Sequence, residues 1–200
     1  DYIISTVPFE QATVPIVKVS PFLNKNDRRQ LNEIINNARE KYVDETKRIG
    51  PNLKDVLLDS RILTQQKWVS RDIAIRQSVK LLEDDGIVDC VYADDIMKQL
   101  DTFGPYMVIS PHIALIHANH DHVTKSVGFS FIHYKEGITF DHNTYDPVYI
   151  IVTLATKQPQ VHLNALRQLS ELIMDDEARN VMLSGDKEQI IKCINEVSKS

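Results

Sequence analysis

The sequence predicts an α/β protein in which a mixed β-sheet is flanked by helices on both sides. Three observations predict it. Residues 148–155 are nearly continuous in apolar side chains, as expected of a strand covered on both faces. Shorter apolar runs at 107–110, 113–116 and 127–132 supply three further strands. Leu163, Leu166, Leu169, Leu172 and Ile173 recur at helical spacing and make one inward stripe.

Taken in chain order, Tyr2–Val7 and Val14–Ser20 are short β-branched runs separated by a polar turn, and they read as two strands. Asn26 or Asp27 can cap a helix that carries Leu31, Ile34, Ile35 and Ala38. Strand, strand and helix make a poor core alone, so residues 1–48 are expected to be the end of a parallel α/β domain plus a linker. Asp1 leads straight into an apolar run, and the chain is therefore expected to be a segment of something longer. Gly50, Pro51 and Asn52 mark the boundary, and a second domain is expected over 54–199. There, Trp68, Ile73, Ala74 and Val79 belong to an amphipathic helix ending near Gly86, and 94–100 form a shorter one. After the 148–155 strand, Pro159 fits a first helical turn. Helices at 175–183 and 186–197 complete the chain, with Gly185 as the stop between them. Trp68 and Tyr106 are expected in the core.

Composition excludes several function classes. The 200 residues carry a formal net charge of −5 and no basic run, which argues against nucleic-acid contact by this segment. No apolar run approaches the roughly 18 residues that span a bilayer, so no membrane insertion is expected. Cys90 and Cys193 lie far apart with no CxxC pairing and read as two reduced thiols in a cytoplasmic protein.

The chemistry concentrates at two histidines. The apolar strand 113–116 delivers His117 at its carboxyl end, followed by the small and polar Ala118 and Asn119. That arrangement suits a nucleophilic imidazole reached by a bulky partner. A neutral imidazole, with an ordinary pKa near 6.5, is a competent nucleophile around neutral pH. His162 opens the helix that follows the strongest strand, where free amides and the positive end of the dipole favour phosphate.

From Leu57 onward the chain resembles the EIIA domain of the phosphoenolpyruvate-dependent sugar phosphotransferase system, in its mannitol/fructose/ascorbate class (EIIA type 2). The segments that carry the resemblance are 67–75, 81–88, Tyr92, the run from Gly104-Pro105-Tyr106 to His117-Ala118, and Leu154-Ala155 followed by 162–169. The resemblance implies a mannitol-type EIIA fold and a phosphohistidine carrier that needs neither cofactor nor metal. It implies His117 as the phosphorylated residue and His162 as its supporting donor, with His112, Ala118 and Asn119 around the phosphate. The expected partners are HPr and an EIIB protein or domain. The amino-terminal part resembles the end of an EIIB domain. An EIIB followed by an EIIA implies the carboxyl-terminal portion of a PRD-containing, antiterminator-like transcriptional regulator, with upstream regulatory domains in the same polypeptide. Two departures stand out: Ile116 replaces the proline usual before the active histidine, and 101–104 offers no phosphate-holding arginine.

Three functions stay open on the sequence: a regulatory acceptor, a catalytic carrier that passes phosphate to a sugar-specific EIIB, and a degenerate domain kept for protein contacts. His117, His120, Asp121 and His122 also come near a binuclear zinc element, but Asn119 stands where a second histidine is required. His120 and His122 read as a polar loop at the mouth of the site. His133 and His142 read as exposed strand-end residues flanking a hairpin that contains Gly137.

Overall fold

The structure, a computed structural model, describes residues 3–5, 16–19, 29–35, 50–158 and 160–199. The chain divides into two compact units, Asp1–Lys47 and Arg48–Ser200. In the first, β1 (Ile3–Ser5) pairs in parallel with β2 (Ile16–Lys18), with Ile3 opposite Ile16. A helix over residues 29–35 (α1) follows, with Leu31 and Ile34 half-buried. The rest of the expected strands and helix, Ala38 included, lies outside the described residues.

In the second unit the chain runs through α2 (Leu53–Val56), β3 (Ile62–Gln66), α3 (Arg71–Asp84), α4 (Tyr92–Phe103), β4 (Val108–Ser110) and β5 (Ile113–Ile116). Then come β6 (Val127–Ile138), β7 (Val148–Thr156), α5 (Leu163–Met174), α6 (Asp176–Ser184) and α7 (Lys187–Val197). The strands form one mixed sheet in the order β3-β6-β7-β5-β4, with β5 and β7 parallel and β6 and β7 antiparallel.

The period of two along β7 explains the layering. Ile150, Val152 and Leu154 join one core with Leu169, Leu172 and Ile190 from α5 and α7. Ile151 and Ala155 join the other with Ile75, Leu82, Tyr92 and Ile96 from α3 and α4. Thr153 falls on the α3 side and is buried, so its hydroxyl needs a partner. It finds Ser78 Oγ at 2.6 Å, which in turn meets Ser130 Oγ at 3.1 Å. The sheet is thus flanked by helices on both faces.

The expected hairpin at Gly137 and the placements of His133, His142, Trp68 and Tyr106 are corrected, and one strand was not among those expected. β3 was not legible: Ile62 and Leu63 precede three polar residues, and the strand lies at the sheet edge, bulged where Gln65 has φ +57°. β6 runs on through Gly137 to Ile138, where Gly137 packs against Pro147 in place of turning a hairpin. His133 is therefore mid-strand and buried, with Nδ1 accepting the Gln65 amide at 3.3 Å and Nε2 near the Leu183 carbonyl at 3.1 Å. Trp68 and Tyr106 are exposed, at 56% and 45%, because Trp68 precedes α3 and Tyr106 sits in the turn after α4. His142 is half-buried in the loop after β6, its Nδ1 accepting the Thr144 and Tyr145 amides. Pro159 lies outside the described residues.

Candidate functional site

Strand β5 is four residues long and fully buried, alternating Ile113 and Leu115 toward α5 with Ala114 and Ile116 toward α3. One step further the alternation brings His117 to the α5 side, and the backbone has left the sheet, so the imidazole is exposed. Its Nδ1 lies 3.3 Å from the Leu115 carbonyl. A carbonyl only accepts, so this contact assigns the proton to Nδ1 and leaves the lone pair on Nε2. The Tyr106 ring stands edge-on to the imidazole, with centroids 6.3 Å apart and planes at 90°.

His162 is brought close from the neighbouring strand. β7 lies beside β5 with Ile116 opposite Thr153, and the chain then crosses to α5, for which His162 is the N-cap residue. Burial holds the His162 imidazole below the ordinary histidine pKa; the Gln158 backbone opposes this and the nearby charge of His117 adds to it. Its Nδ1 is buried without a hydrogen-bond partner among the described residues. A polar atom left so is costly unless something else engages it. The start of α5 is anchored by the Asn52 side chain, which receives Asn164 Nδ2 at 3.0 Å and Gln168 Nε2 at 3.1 Å. Gly50 passes so near that a Cβ there would lie 2.0 Å from the Val161 carbonyl oxygen.

Beside these rings lies a cavity of ≈ 450 Å³ lined by Ala118, Asn119, His120, Asp121, Thr156 and His162. It sits off the carboxyl ends of β5 and β7, where open α/β sheets hold ligands. The structure brings His117, Ala118, Asn119 and His162 together. The Ala118 amide already donates to Tyr92 Oη at 3.1 Å, so what Ala118 offers the cavity is a small side chain. His112 is not brought to this end. It precedes β5, five residues from His117, or about 16 Å along a strand. There it takes φ +71° and its Nδ1 meets the Pro147 carbonyl at 2.7 Å.

The remaining histidines of the loop are separately engaged. His122 Nδ1 lies 2.7 Å from Asp89 Oδ2, and its Nε2 3.6 Å from Asp95. This contact raises the His122 pKa, chiefly through the Asp89 hydrogen bond, and holds Asp89 below the usual carboxylate range. His120 pairs with Asp121 at 3.3 Å. Among the described residues no three His, Cys, Asp or Glu side chains are grouped so as to hold a metal ion. No helix of the described residues is long and apolar enough to cross a membrane.

The arrangement is an exposed imidazole with a defined lone pair, a second imidazole kept neutral by burial, and a roomy mouth beside them. It suits capture of a group from a macromolecular donor. Residues 55–197 match the family model described as "Phosphoenolpyruvate-dependent sugar phosphotransferase system, EIIA 2". The chain is 31% identical over 127 residues to the ascorbate-specific PTS system EIIA component of Escherichia coli K12, covering 62% of this chain and 82% of that protein. It superposes with a TM-score of 0.65 on the mannitol-specific cryptic phosphotransferase enzyme IIA CmtB from Escherichia coli, at 23% identity over 73% of this chain and 99% of that one. The IIAMTL component in its complex with phosphorylated IIBMTL from Escherichia coli matches with a TM-score of 0.60 at 17% identity, over 70% of this chain and 97% of that one. These last two likenesses concern the fold.

Proposed function

Since the chain belongs to the EIIA type 2 family of the phosphoenolpyruvate-dependent sugar phosphotransferase system, we propose that it accepts a phosphoryl group from phosphorylated HPr on Nε2 of His117. The observation that carries this reading is the exposed His117 ring with Nδ1 turned to the Leu115 carbonyl, beside His162. In the step, the Nε2 lone pair attacks phosphorus in line with the leaving nitrogen of the donor's phosphohistidine. A new N–P bond forms as the old one breaks, and the electron pair returns to the donor ring. His117 keeps its Nδ1 proton and becomes cationic, and the Leu115 carbonyl oxygen steadies that charge. Donor and acceptor bonds are alike, so the exchange is nearly balanced, and the loose transition state asks mainly for positioning and donors. His162, neutral at pH 7, offers an N–H to the phosphoryl oxygens without adding a competing charge, and Asn119 lines the same mouth.

This acceptor is read as a regulatory module acting in the cytoplasm. The parallel β1–β2 pair followed by α1 supports an EIIB-like unit ahead of it, the order of PRD-containing, antiterminator-like regulators. A second reading is a carrier that passes the phosphoryl group to an EIIB. It is favoured by the relative named as an ascorbate-specific PTS component and by the solved complex with phosphorylated IIBMTL. Incubation with phosphoenolpyruvate, enzyme I and HPr tests the first step: wild type takes up label and His117→Ala takes up none. Label that persists in His117→Ala discards the assignment. A chase of the labelled protein with an EIIB then separates carrier from sensor.

A further inference from the structure

The parallel ladder between β5 and β7 stops one rung earlier than its own geometry requires. The His112 carbonyl accepts the Ile150 amide at 3.0 Å, with Ile113 opposite Ile150 and Ile116 opposite Thr153. In a parallel pair the bonds are evenly spaced. Even-numbered residues of β7 therefore bond to the even-numbered residues flanking them on β5. Odd-numbered β5 amides face the other way, as Leu115 shows by donating to the Met107 carbonyl at 2.9 Å. Continued past Ile116, the series calls next for the Ala118 N–H to donate to the Leu154 carbonyl. Neither atom reaches the other. Tyr92 Oη stands between them, accepting the Ala118 N–H at 3.1 Å and donating to the Leu154 carbonyl at 2.7 Å.

We propose that Tyr92 is a positioning residue of the phosphoryl-acceptor site, a wedge whose hydroxyl replaces one rung of the ladder and so opens the crevice between His117 and His162. The inference rests on the acceptor reading above. Two bonds in series replace one of about 2.9 Å, so β5 and β7 part immediately after His117. The cavity lined by Ala118, Asn119, Thr156 and His162 begins at that parting. The hydroxyl keeps both peptide groups satisfied, which a simple splaying of the strands would not. Tyr92 is fully buried on the first turn of α4, and packing against Ile96, Ala155 and other residues of the α3-side core holds the ring in place. Burial pushes its pKa up to about 12, so the proton that bridges to Leu154 stays on the oxygen throughout the range in which the protein works. No phosphoryl group touches this residue; it acts through Ala118 and the position of His117.

The test uses Tyr92→Phe in the whole chain, which keeps the ring and removes the wedge. The rate of phosphoryl acceptance at saturating phosphorylated HPr is expected to fall at least tenfold, with KM for HPr changed less than threefold because the docking surface is untouched. A variant that accepts phosphate within twofold of the wild-type rate overturns the positioning role. A second measurement needs no variant: through-hydrogen-bond NMR coupling between the Ala118 amide nitrogen and the Leu154 carbonyl carbon. The wedge requires that this coupling be missing in the wild type, and its detection there overturns the proposal even if Tyr92→Phe fails to fold. If wild type takes up no phosphate at all, the acceptor reading falls, and the wedge is judged on the coupling alone.

Discussion

In the proposed acceptor reaction, His117 and His162 divide one task by protonation. His117 needs a lone pair at the atom that faces solvent, and the Leu115 carbonyl secures it by occupying the Nδ1 proton. His162 needs to stay neutral, and burial secures that. Replacing His162 with Ala is expected to slow phosphoryl acceptance by roughly 10²-fold, the scale seen when one preorganised donor is removed, with His117 still labelled; steady-state transfer from phosphorylated HPr measures it. The lowered His162 pKa also has a stability consequence. The unfolded chain binds this proton more readily than the folded one, so the contribution is present above about pH 6.5 and lost as pH falls toward the folded value. The melting temperature of wild type should therefore fall relative to that of His162→Gln from pH 7.5 to pH 5.5, and a relative rise would contradict the assignment. Both residues were legible in the sequence, one as a histidine ending an apolar strand and one as a histidine opening a helix. His112 was misplaced although the strand bounds 113–116 were read correctly: with His117 at one end of that strand, His112 falls at the other.

At the scale of elements, the site is a junction of β5, β7, α4 and α5, and each is held by polar contacts that a linear reading does not reveal. The loop after His117 is tied to the start of α4 by His122 between Asp89 and Asp95. Because the His122 pKa is raised, this tie is fully present below about pH 6.5 and is lost as pH rises through the folded value. His122→Gln should therefore lower the melting temperature more at pH 6 than at pH 9; an equal loss at both would assign the tie to something other than charge. Between α3 and the sheet, Thr153→Val removes the 2.6 Å contact to the buried Ser78 hydroxyl, which keeps Ser130 Oγ as a partner, and should cost about 0.5–1.5 kcal/mol in denaturant unfolding. β7 was legible because a third strand of five shows apolar residues on both faces. β3 was not, since an edge strand can end in Thr64, Gln65 and Gln66. His133 was misread because what buries it, the turn at Gly185, lies far along the chain. α2 left only the faint signature of Asn52 with Asp55, whose carboxylate accepts the Asn52 amide at 3.2 Å.

For the whole molecule, the second unit carries both cores and the whole of the site, and the family match spans 55–197 within it. A fragment of residues 48–200 is therefore expected to unfold in a single transition and to accept phosphate at the rate of the full chain; a fragment that folds but accepts far more slowly would bring the first unit into the chemistry. The central claim is narrower than the family: one nitrogen of one ring forms the bond. ¹⁵N and ³¹P NMR of the phosphorylated protein, kept alkaline to preserve the acid-labile N–P bond, reads that nitrogen directly. The account predicts a phosphorus coupled to Nε2 of His117, with the proton retained on Nδ1. Phosphorus on Nδ1, or on any other histidine, would contradict it.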